Sequence, residues 1–184
     1  AVCEVRPIEE VRIFSRTRER AEALAGHLRT IGVPVPPAIK VVESAAEAVR
    51  GADVVVTATT SPVPVFADED LSPGAHVNAI GAFTPETREL ETATVRRAKV
   101  VVDSRAAALA EAGDILIPIR EGAIDPGHIY AEIGEVILGQ KPGRTDPQEV
   151  TVFKSVGNAV QDVAVGGLAL LEAERLGLGL EVEL

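Results

Sequence analysis

The chain has 184 residues, of which 46% are hydrophobic and 25% charged, a composition that excludes disorder and suffices for one domain with a substantial core. A formal net charge of −10 and an aromatic content of 3% argue against nucleic-acid binding, which needs clustered cations and stacking side chains. No apolar run approaches the roughly 20 residues of a membrane span, and the single cysteine, Cys3, is expected in a reducing, cytoplasmic protein.

The first predicted strand ends in a polar turn that carries arginine. Val11–Phe14 alternates apolar and polar residues, and an amphipathic helix follows for which Thr17 is the candidate N-cap. In dinucleotide-binding sheets such a turn meets the adenosine ribose, where Arg suits a 2′-phosphate and Asp or Glu is usual in NAD-specific sites. Ser15 and Arg16 are therefore candidate cofactor-binding residues, and the alternative interpretation is an ordinary charged helix start.

Strands and helices then alternate along the chain. The nearly continuous β-branched run Asp53–Thr57 is typical of a strand buried on both faces. Such alternation predicts an α/β fold with a parallel, doubly wound sheet of the Rossmann type. The further predicted strands are Ile39–Val42, His76–Ile80 and Lys99–Asp103, and helix starts are expected at Ser44, Thr84–Glu86 and Ser104.

The pattern changes after Asp114. A short helix is expected at Ala131–Leu138, a linker at Lys141–Pro147 and a strand at Val150–Phe153, before a long helix capped by Ser155. We therefore expect residues 1–148 to form an incomplete dinucleotide-binding domain. Residues 149–184 are expected to return toward a further domain, because the apolar stripe of the last helix exceeds what one sheet face requires.

The glycine-rich fingerprint Gly-x-Gly-x-x-Gly/Ala is absent from this sequence. In the strand order 3-2-1-4-5-6, the strand that precedes this fingerprint lies between the Val11 strand and the Asp53 strand. A sheet without it has a gap at its centre, with unpaired backbone groups on two edges. We therefore expect an N-terminally incomplete chain, or one whose missing half comes from another polypeptide. A different strand order that closes the sheet is the alternative.

Six segments of the sequence resemble the ornithine cyclodeaminase/mu-crystallin family of NAD(P)-dependent enzymes, in the order of the family and across nearly the whole chain. Family members carry an N-terminal substrate and dimerisation domain before the glycine-rich loop, so the resemblance implies a homodimer formed through that domain. The matching segments are Val11–Thr17, Ala52–Thr59, Gly74–Gly81, Glu111–Asp114, Glu132–Val136 and Thr151–Gly157.

The resemblance also implies roles for individual residues. Positions that hold the adenosine ribose and its 2′-phosphate in NADPH-using members correspond to Ser15, Arg16, Thr17 and Arg20, so NADP(H) is favoured over NAD(H). The remaining matches are Thr57 and Ala58 in the cofactor crevice, Ile80 and Ser155 on the nicotinamide side, and Ala82 and Glu111 on the substrate side. Without the resemblance, these residues would be interpreted as strand-end core or, for Ser155, a helix cap.

One position departs from the cyclodeaminase pattern. Cyclodeaminases carry an Asp, proposed as the general base, in the loop after the Ile-Gly pair, and this chain has Phe83 there. Phe cannot accept a proton, so the resemblance favours the imine-reducing members, with hydride transfer to or from the Cα of a small imino or amino acid. A cyclodeaminase or an alanine dehydrogenase with a relocated acid or base is the alternative enzyme, and a non-catalytic NADPH or small-ligand binding protein is the alternative of another class.

No metal site is predicted. The three histidines, His27, His76 and His128, lie far apart in sequence and form no ligand spacing with Cys3 or with a pair of acids. The expected partners are thus a small imino or amino acid and the nicotinamide cofactor, without nucleic acid, membrane or catalytic metal.

Overall fold

Seven parallel strands carry the fold in the computed structural model of the chain, which describes residues 1–180 and residue 182. Along most of these strands, buried residues alternate with less buried ones, as expected for a pleated strand. The strands are β1 (Glu10–Ile13), β2 (Ala38–Val41), β3 (Val54–Thr57), β4 (His76–Ala79), β5 (Lys99–Val102), β6 (Ile129–Glu132) and β7 (Thr151–Lys154).

The strands form two sheets. β1 pairs with β2, and the other five strands follow the order β3-β4-β7-β5-β6. All pairs are parallel, so the carboxyl ends of neighbouring strands lie at one edge. β7 occupies the middle of the larger sheet although it is the last strand of the described chain. Residues 151–154 therefore pair between two strands that come much earlier in the sequence.

Helices connect the strands, and two of the predicted caps lie at the starts of helices. Ser44 Oγ accepts a hydrogen bond from Glu47 N at 3.1 Å, and Ser104 Oγ accepts one from Ala107 N at 3.4 Å, as expected. Short 3-10 helices lie at Asp68–Asp70 and Pro126–His128. The α-helices are α1 (Val2–Val5), α2 (Arg18–Ile31), α3 (Ala45–Val49), α4 (Thr92–Arg97), α5 (Arg105–Glu111), α6 (Gly113–Arg120), α7 (Ile133–Ile137) and α8 (Ala159–Leu176).

The hydrophobic core lies on the five-stranded sheet. Val77, Val100 and Val152 from its three inner strands are fully buried, and Val95 of α4 and Ile115 of α6 pack in the same cluster. Burying such side chains supplies the main favourable free energy of folding. The core therefore fixes the inner strands, and with them the edge where the predicted site residues lie.

The structure corrects the predicted starts of two helices. No helix begins at Thr84–Glu86, because this segment forms a turn in which Thr87 N donates to Thr84 O, and Gly113 N donates to the same carbonyl. The last helix begins at Ala159 with Asn158 as its N-cap, so the prediction that Ser155 caps it is wrong. Ser155 instead extends the strand direction beyond β7, where Asp103 binds its hydroxyl group.

The predicted helix at Ala131–Leu138 and the predicted burial of β3 are also wrong. The segment Ala131–Leu138 is not one helix, because Ala131 and Glu132 pair with β5 as part of β6 and the helix spans Ile133–Ile137. β3 is not buried on both faces, because it is the outer strand of its sheet and Val56 is 55% exposed. β-branched residues favour a strand in either position, so composition alone does not separate a central from an outer strand.

β1 and β3, between which the sequence predicts a further strand, belong to different sheets. Within the described residues, β1 pairs only with β2 and β3 pairs only with β4. The strand that would join them stays a prediction.

Helix α8 has no buried residue, and its apolar residues Val160, Val163 and Leu168 are 63%, 73% and 64% exposed. Such a face normally packs against another surface. Across the described part of the chain, no helix combines the length and the low polarity that crossing a bilayer requires.

Candidate functional site

The predicted nicotinamide-side residues lie on adjacent strand ends. Ile80 N, directly after β4, donates to Thr57 O at 2.9 Å, and Ser155 N, directly after β7, donates to Ala79 O at 3.2 Å. The parallel register thus places the ends of β3, β4 and β7 side by side. Open α/β sheets bind ligands outside the carboxyl ends of their strands, so this edge is the candidate site.

The accessible part of this edge is formed by small and apolar groups. Ala58 is exposed and Ile80 is 42% exposed, while Phe83, in the loop after β4, is 62% exposed. The Thr57 side chain is buried, and its hydroxyl group donates to Glu89 Oε2 at 2.8 Å. Ala58 and Ile80 are therefore the predicted crevice residues that a ligand can reach, whereas the Thr57 hydroxyl group is already engaged.

Ser155 takes part in a tight turn after β7. Its hydroxyl group donates to Asp103 Oδ2 at 2.7 Å, and the same oxygen accepts from Val156 N at 3.1 Å and from Gly157 N at 3.0 Å. Asp103 directly follows β5, so these bonds join the ends of two neighbouring strands. They orient the backbone that leads into α8.

The two predicted substrate-side residues differ in burial and in contacts. Ala82 is buried, and its carbonyl group accepts a hydrogen bond from Lys154 Nζ. Glu111 is exposed at the end of α5, and its side chain forms no hydrogen bond or ion pair with the residues that the structure describes. The structure thus joins Ala82 to the strand-end network but shows no contact that joins Glu111 to it.

A buried ionic network lies beneath the candidate site. Lys154 is 0% exposed and its Nζ lies 3.0 Å from Asp114 Oδ2, in a carboxylate that is 1% exposed. Asp114 Oδ1 accepts from Glu89 N at 2.7 Å and from Leu90 N at 2.9 Å. Among the described residues the ammonium group is the one polar neighbour of Asp114 Oδ2, at ion-pair distance but without hydrogen-bond alignment.

The polar turn after β1 borders a pocket of about 300 Å³. Ser15 and Arg16 line it, whereas Thr17 is the N-cap residue of α2 and Arg20 lies within that helix, outside the lining. The other lining residues are Phe14, Arg18, Val41, Val42 and Glu43. The ends of β1 and β2 therefore form a cavity with both apolar walls and charged groups.

The charges at this pocket differ in how far they are paired. Arg18 forms ion pairs with Glu43 and, at 2.8 Å, with Glu22, and these carboxylates raise the pKa of its guanidinium group. The side chains of Arg16 and Arg20 form no hydrogen bond or ion pair with any residue in the described ranges 1–180 and 182. At the pocket, the Arg16 guanidinium group is thus available to an anionic ligand, while Arg20 lies outside the lining.

Three residues of the buried network escaped the sequence analysis. Asp114 and Lys154 belong to segments that resemble the family but received no role, and Glu89 belongs to none of them. Charged residues in polar segments are usually exposed, so nothing in the local sequence indicates their burial. Arg18 and Glu43 were also missed, although both flank strands that the sequence predicts.

Histidines and metal-binding groups play no visible part at this edge. His76 opens β4 at the opposite edge of the sheet, where its Nδ1 lies 2.8 Å from Thr151 Oγ1, and burial lowers its pKa. In the part of the chain that the structure describes, no three His, Cys, Asp or Glu residues are grouped to hold a metal ion.

Comparison with known proteins gives consistent matches. The chain is 43% identical over 185 aligned residues to Delta(1)-pyrroline-2-carboxylate reductase of Bacillus cereus, covering 100% of the chain and 55% of that protein. It is 44% identical over 160 residues to mouse ketimine reductase mu-crystallin, covering 87% of the chain and 46% of the mouse protein. The chain therefore spans about half the length of these relatives.

A solved structure has the same fold. Delta(1)-pyrroline-2-carboxylate reductase of Thermococcus litoralis, in complex with NADH and L-proline, superposes with a TM-score of 0.91 at 41% identity, covering 98% of this chain and 55% of that one. Residues 1–170 match the sequence model of the ornithine cyclodeaminase/mu-crystallin family. The chain belongs to the ornithine cyclodeaminase/mu-crystallin family.

Proposed function

We propose that this chain is the dinucleotide-binding part of an NADP(H)-dependent imino-acid reductase. The observation that carries the proposal is the edge at which the ends of β3, β4 and β7 meet, with accessible Ala58 and Ile80. The relatives are a Delta(1)-pyrroline-2-carboxylate reductase and a ketimine reductase, and the similar solved structure is a complex with NADH and L-proline. The reaction would move a hydride between the nicotinamide and the Cα of a small imino or amino acid.

The residues at the pocket after β1 and those at the ends of β3, β4 and β7 fit the two ends of such a cofactor. When bound, the cofactor supplies the hydride, and the protein supplies orientation and electrostatics. Ser15, Arg16, Thr17 and Arg20 would hold the adenosine ribose and its 2′-phosphate. Toward the nicotinamide, the proposed residues are Thr57, Ala58, Ile80 and Ser155, of which Thr57 acts through its backbone because its hydroxyl group is engaged.

The charges beside the first pocket support NADP(H) over NAD(H). Glu43 would repel a 2′-phosphate, but its ion pair with Arg18 neutralises it. Arg16 then leaves one unpaired cationic group at the pocket, with Arg20 in the helix that follows, and an arginine fork matches phosphate geometry. Because a free ribose hydroxyl group needs no such cation, the pocket favours the phosphorylated cofactor.

The loop after β4 supports imine reduction over cyclodeamination. Residues 81–85 read Gly-Ala-Phe-Thr-Pro and contain no carboxylate, and Phe83 presents an exposed aromatic ring instead. Ala82 and Glu111 remain the proposed substrate-side residues, Ala82 through the position of its backbone. Groups that bind the substrate carboxylate are expected in the domain that family members carry before the glycine-rich loop.

The exposed face of α8 supports a proposal about domain organisation. The proposed dinucleotide-binding domain is residues 1–148, and its sheet is completed by β7 from the following segment. Within residues 149–184, it is helix α8 that would pack against the substrate and dimerisation domain. The exposed apolar residues of α8 would be covered by that packing, and the complete protein would be a homodimer. The single cysteine and a nicotinamide-dependent reaction are consistent with a cytoplasmic protein.

Turnover of the complete protein tests the proposal. Delta(1)-pyrroline-2-carboxylate is supplied with NADPH or with NADH, and cofactor oxidation and L-proline formation are measured together. We expect turnover with both, and a higher kcat/KM with NADPH. Tight NADPH binding without hydride transfer would instead identify a non-catalytic binding protein, and ammonia release from ornithine would identify a cyclodeaminase.

A further inference from the structure

The buried carboxylate of Glu89 joins the two strand ends that carry Ala58 and Ile80. We propose that Glu89 is a positioning residue for hydride transfer, which holds the backbone after β3 and β4 in the geometry that the nicotinamide requires. The inference rests on the proposed function, because it concerns the same site. Glu89 is 0% exposed, so it acts through the backbone segments that it binds and does not touch a ligand itself.

Three donors from two separate segments converge on this carboxylate. Oε2 accepts from Thr57 Oγ1 at 2.8 Å and from Gly81 N at 2.7 Å, and Oε1 accepts from Thr59 N at 2.6 Å. Ala58 lies between two of these donors, and Ile80 directly precedes the third. Both accessible residues of the candidate site are therefore held by one side chain.

Glu89 is in turn held by the ionic network. Its backbone N–H binds Asp114, whose other carboxylate oxygen faces Lys154. Lys154 Nζ also donates to Ala79 O at 3.2 Å and to Ala82 O. The network thus connects the ends of β3, β4 and β7 with the segment that carries Glu89, through the hydrogen bonds of Glu89 and Lys154 and the ion pair between Lys154 and Asp114.

The space around Gly81 gives independent support for close positioning. A Cβ atom at Gly81 would lie 2.3 Å from Thr59 O and 2.5 Å from Glu89 Oε1, which is closer than non-bonded atoms approach. The two strand ends and the carboxylate are therefore in direct contact, with no room for a side chain. Because these groups are in contact, a shift of one of them displaces its neighbours.

The chemical consequence follows from the geometry of hydride transfer. Reacting atoms must approach to about 3–3.5 Å with aligned orbitals, and a displacement of about 1 Å can lower the rate by about 100-fold. Replacing Glu89 by Gln puts an amide donor where one carboxylate oxygen faces N–H or O–H donors. One segment must then move away, and the nicotinamide-side residues move with it.

The test compares Glu89→Gln with a matched control in the complete protein. The control is Asp70→Asn, because Asp70 is also a buried carboxylate, binds Arg50 Nε at 2.7 Å, and lies before β4 at the opposite edge of the sheet. Thr57→Val removes a single donor to Glu89, and Thr57→Ser retains the hydroxyl group. For each variant we measure kcat, KM, the dissociation constant of NADPH and the primary isotope effect with deuterated cofactor.

We expect Glu89→Gln to lower kcat by about tenfold or more, with an undiminished isotope effect. The dissociation constant of NADPH should change by less than about threefold, because the arginines after β1 are untouched. Thr57→Val should lower kcat in the same direction, and Thr57→Ser should restore it. Asp70→Asn should leave kcat within about twofold of the wild type even where it lowers Tm.

Two results would overturn the inference. One is a kcat for Glu89→Gln equal to that of Asp70→Asn. The other is an unchanged kcat for Thr57→Val, which decides the matter also where Glu89→Gln does not fold. An inactive wild-type protein would contradict the proposed function instead, so the two failures are distinguishable.

Discussion

Replacement of Lys154 by Met should lower the free energy of unfolding by more than the replacement of any exposed charged residue of the chain. Met has nearly the same length as Lys and fills the same space, but it removes the ammonium group. Asp114 Oδ2 then loses its ion-pair partner at 3.0 Å, and Ala82 O loses its donor. Ala79 O keeps a partner, because it also accepts from Ser155 N.

The magnitude follows from burial. Lys154 is 0% exposed and Asp114 is 1% exposed, so water cannot replace the lost contact. Breaking a buried ion pair on one side typically costs about 3–5 kcal/mol, because the remaining charge is left uncompensated. We expect this loss in the free energy of unfolding, which is a large fraction of the about 5–15 kcal/mol of a typical protein.

Equilibrium urea unfolding of the variant and of the double variant Lys154→Met/Asp114→Asn measures the effect. The asparagine side chain retains an oxygen for Glu89 N and Leu90 N without a charge, so the double variant should recover at least about 1 kcal/mol relative to additive losses. Lys99→Met is the control, because Lys99 and Glu149 are only partly buried and should give a smaller loss. A loss for Lys154→Met no larger than that of the control, or additive losses in the double variant, would refute the reasoning.

Three further predictions concern the cofactor turn, the strand ends and the opposite edge. Arg16→Ala should weaken NADPH binding by about 1–3 kcal/mol in calorimetry and leave NADH binding nearly unchanged, and equal weakening of both would contradict the 2′-phosphate assignment. Gly81→Ala should lower Tm and kcat, because its Cβ would lie 2.3 Å from Thr59 O, whereas Gly134→Ala has open space and should do neither. Burial lowers the pKa of His76, so the unfolded chain binds more protons and stability should fall as pH drops below about 6.5. His76→Gln should make the urea midpoint less dependent on pH in that range, and an unchanged dependence would be contrary evidence.

The strands were predictable because their signals are local. β-branched runs with polar ends mark β1, β3 and β5 within one or two residues of their bounds. The capping residues Ser44 and Ser104 were predictable for the same reason, since each cap binds a backbone N–H three residues ahead.

The corrected elements depend on contacts that local signals do not contain. Ser155 has the side chain of a cap, but Asp103, 52 residues earlier, binds its hydroxyl group once β5 and β7 pair. Thr84–Glu86 has the signals of a helix start, but the turn is held by Gly113, where an added Cβ would lie 2.0 Å from Thr87 O. Tertiary packing overrides local preference in both places.

The site was predictable only in part. Ser15 and Arg16 line the pocket after β1, and Ala58 and Ile80 are accessible at the strand ends, as their positions in the sequence suggested. Their roles stay predictions. The network of Glu89, Asp114 and Lys154 was not predictable, because its three members are brought together by strand order and not by spacing.

Transfer of deuterium from C4 of the reduced cofactor to the product tests the central claim most directly. The complete protein is incubated with Delta(1)-pyrroline-2-carboxylate and NADPH that carries deuterium at the transferred position, and the product is analysed by mass spectrometry and NMR. The account predicts one deuterium at the Cα of L-proline. Bound NADPH with no deuterium in any product would contradict it.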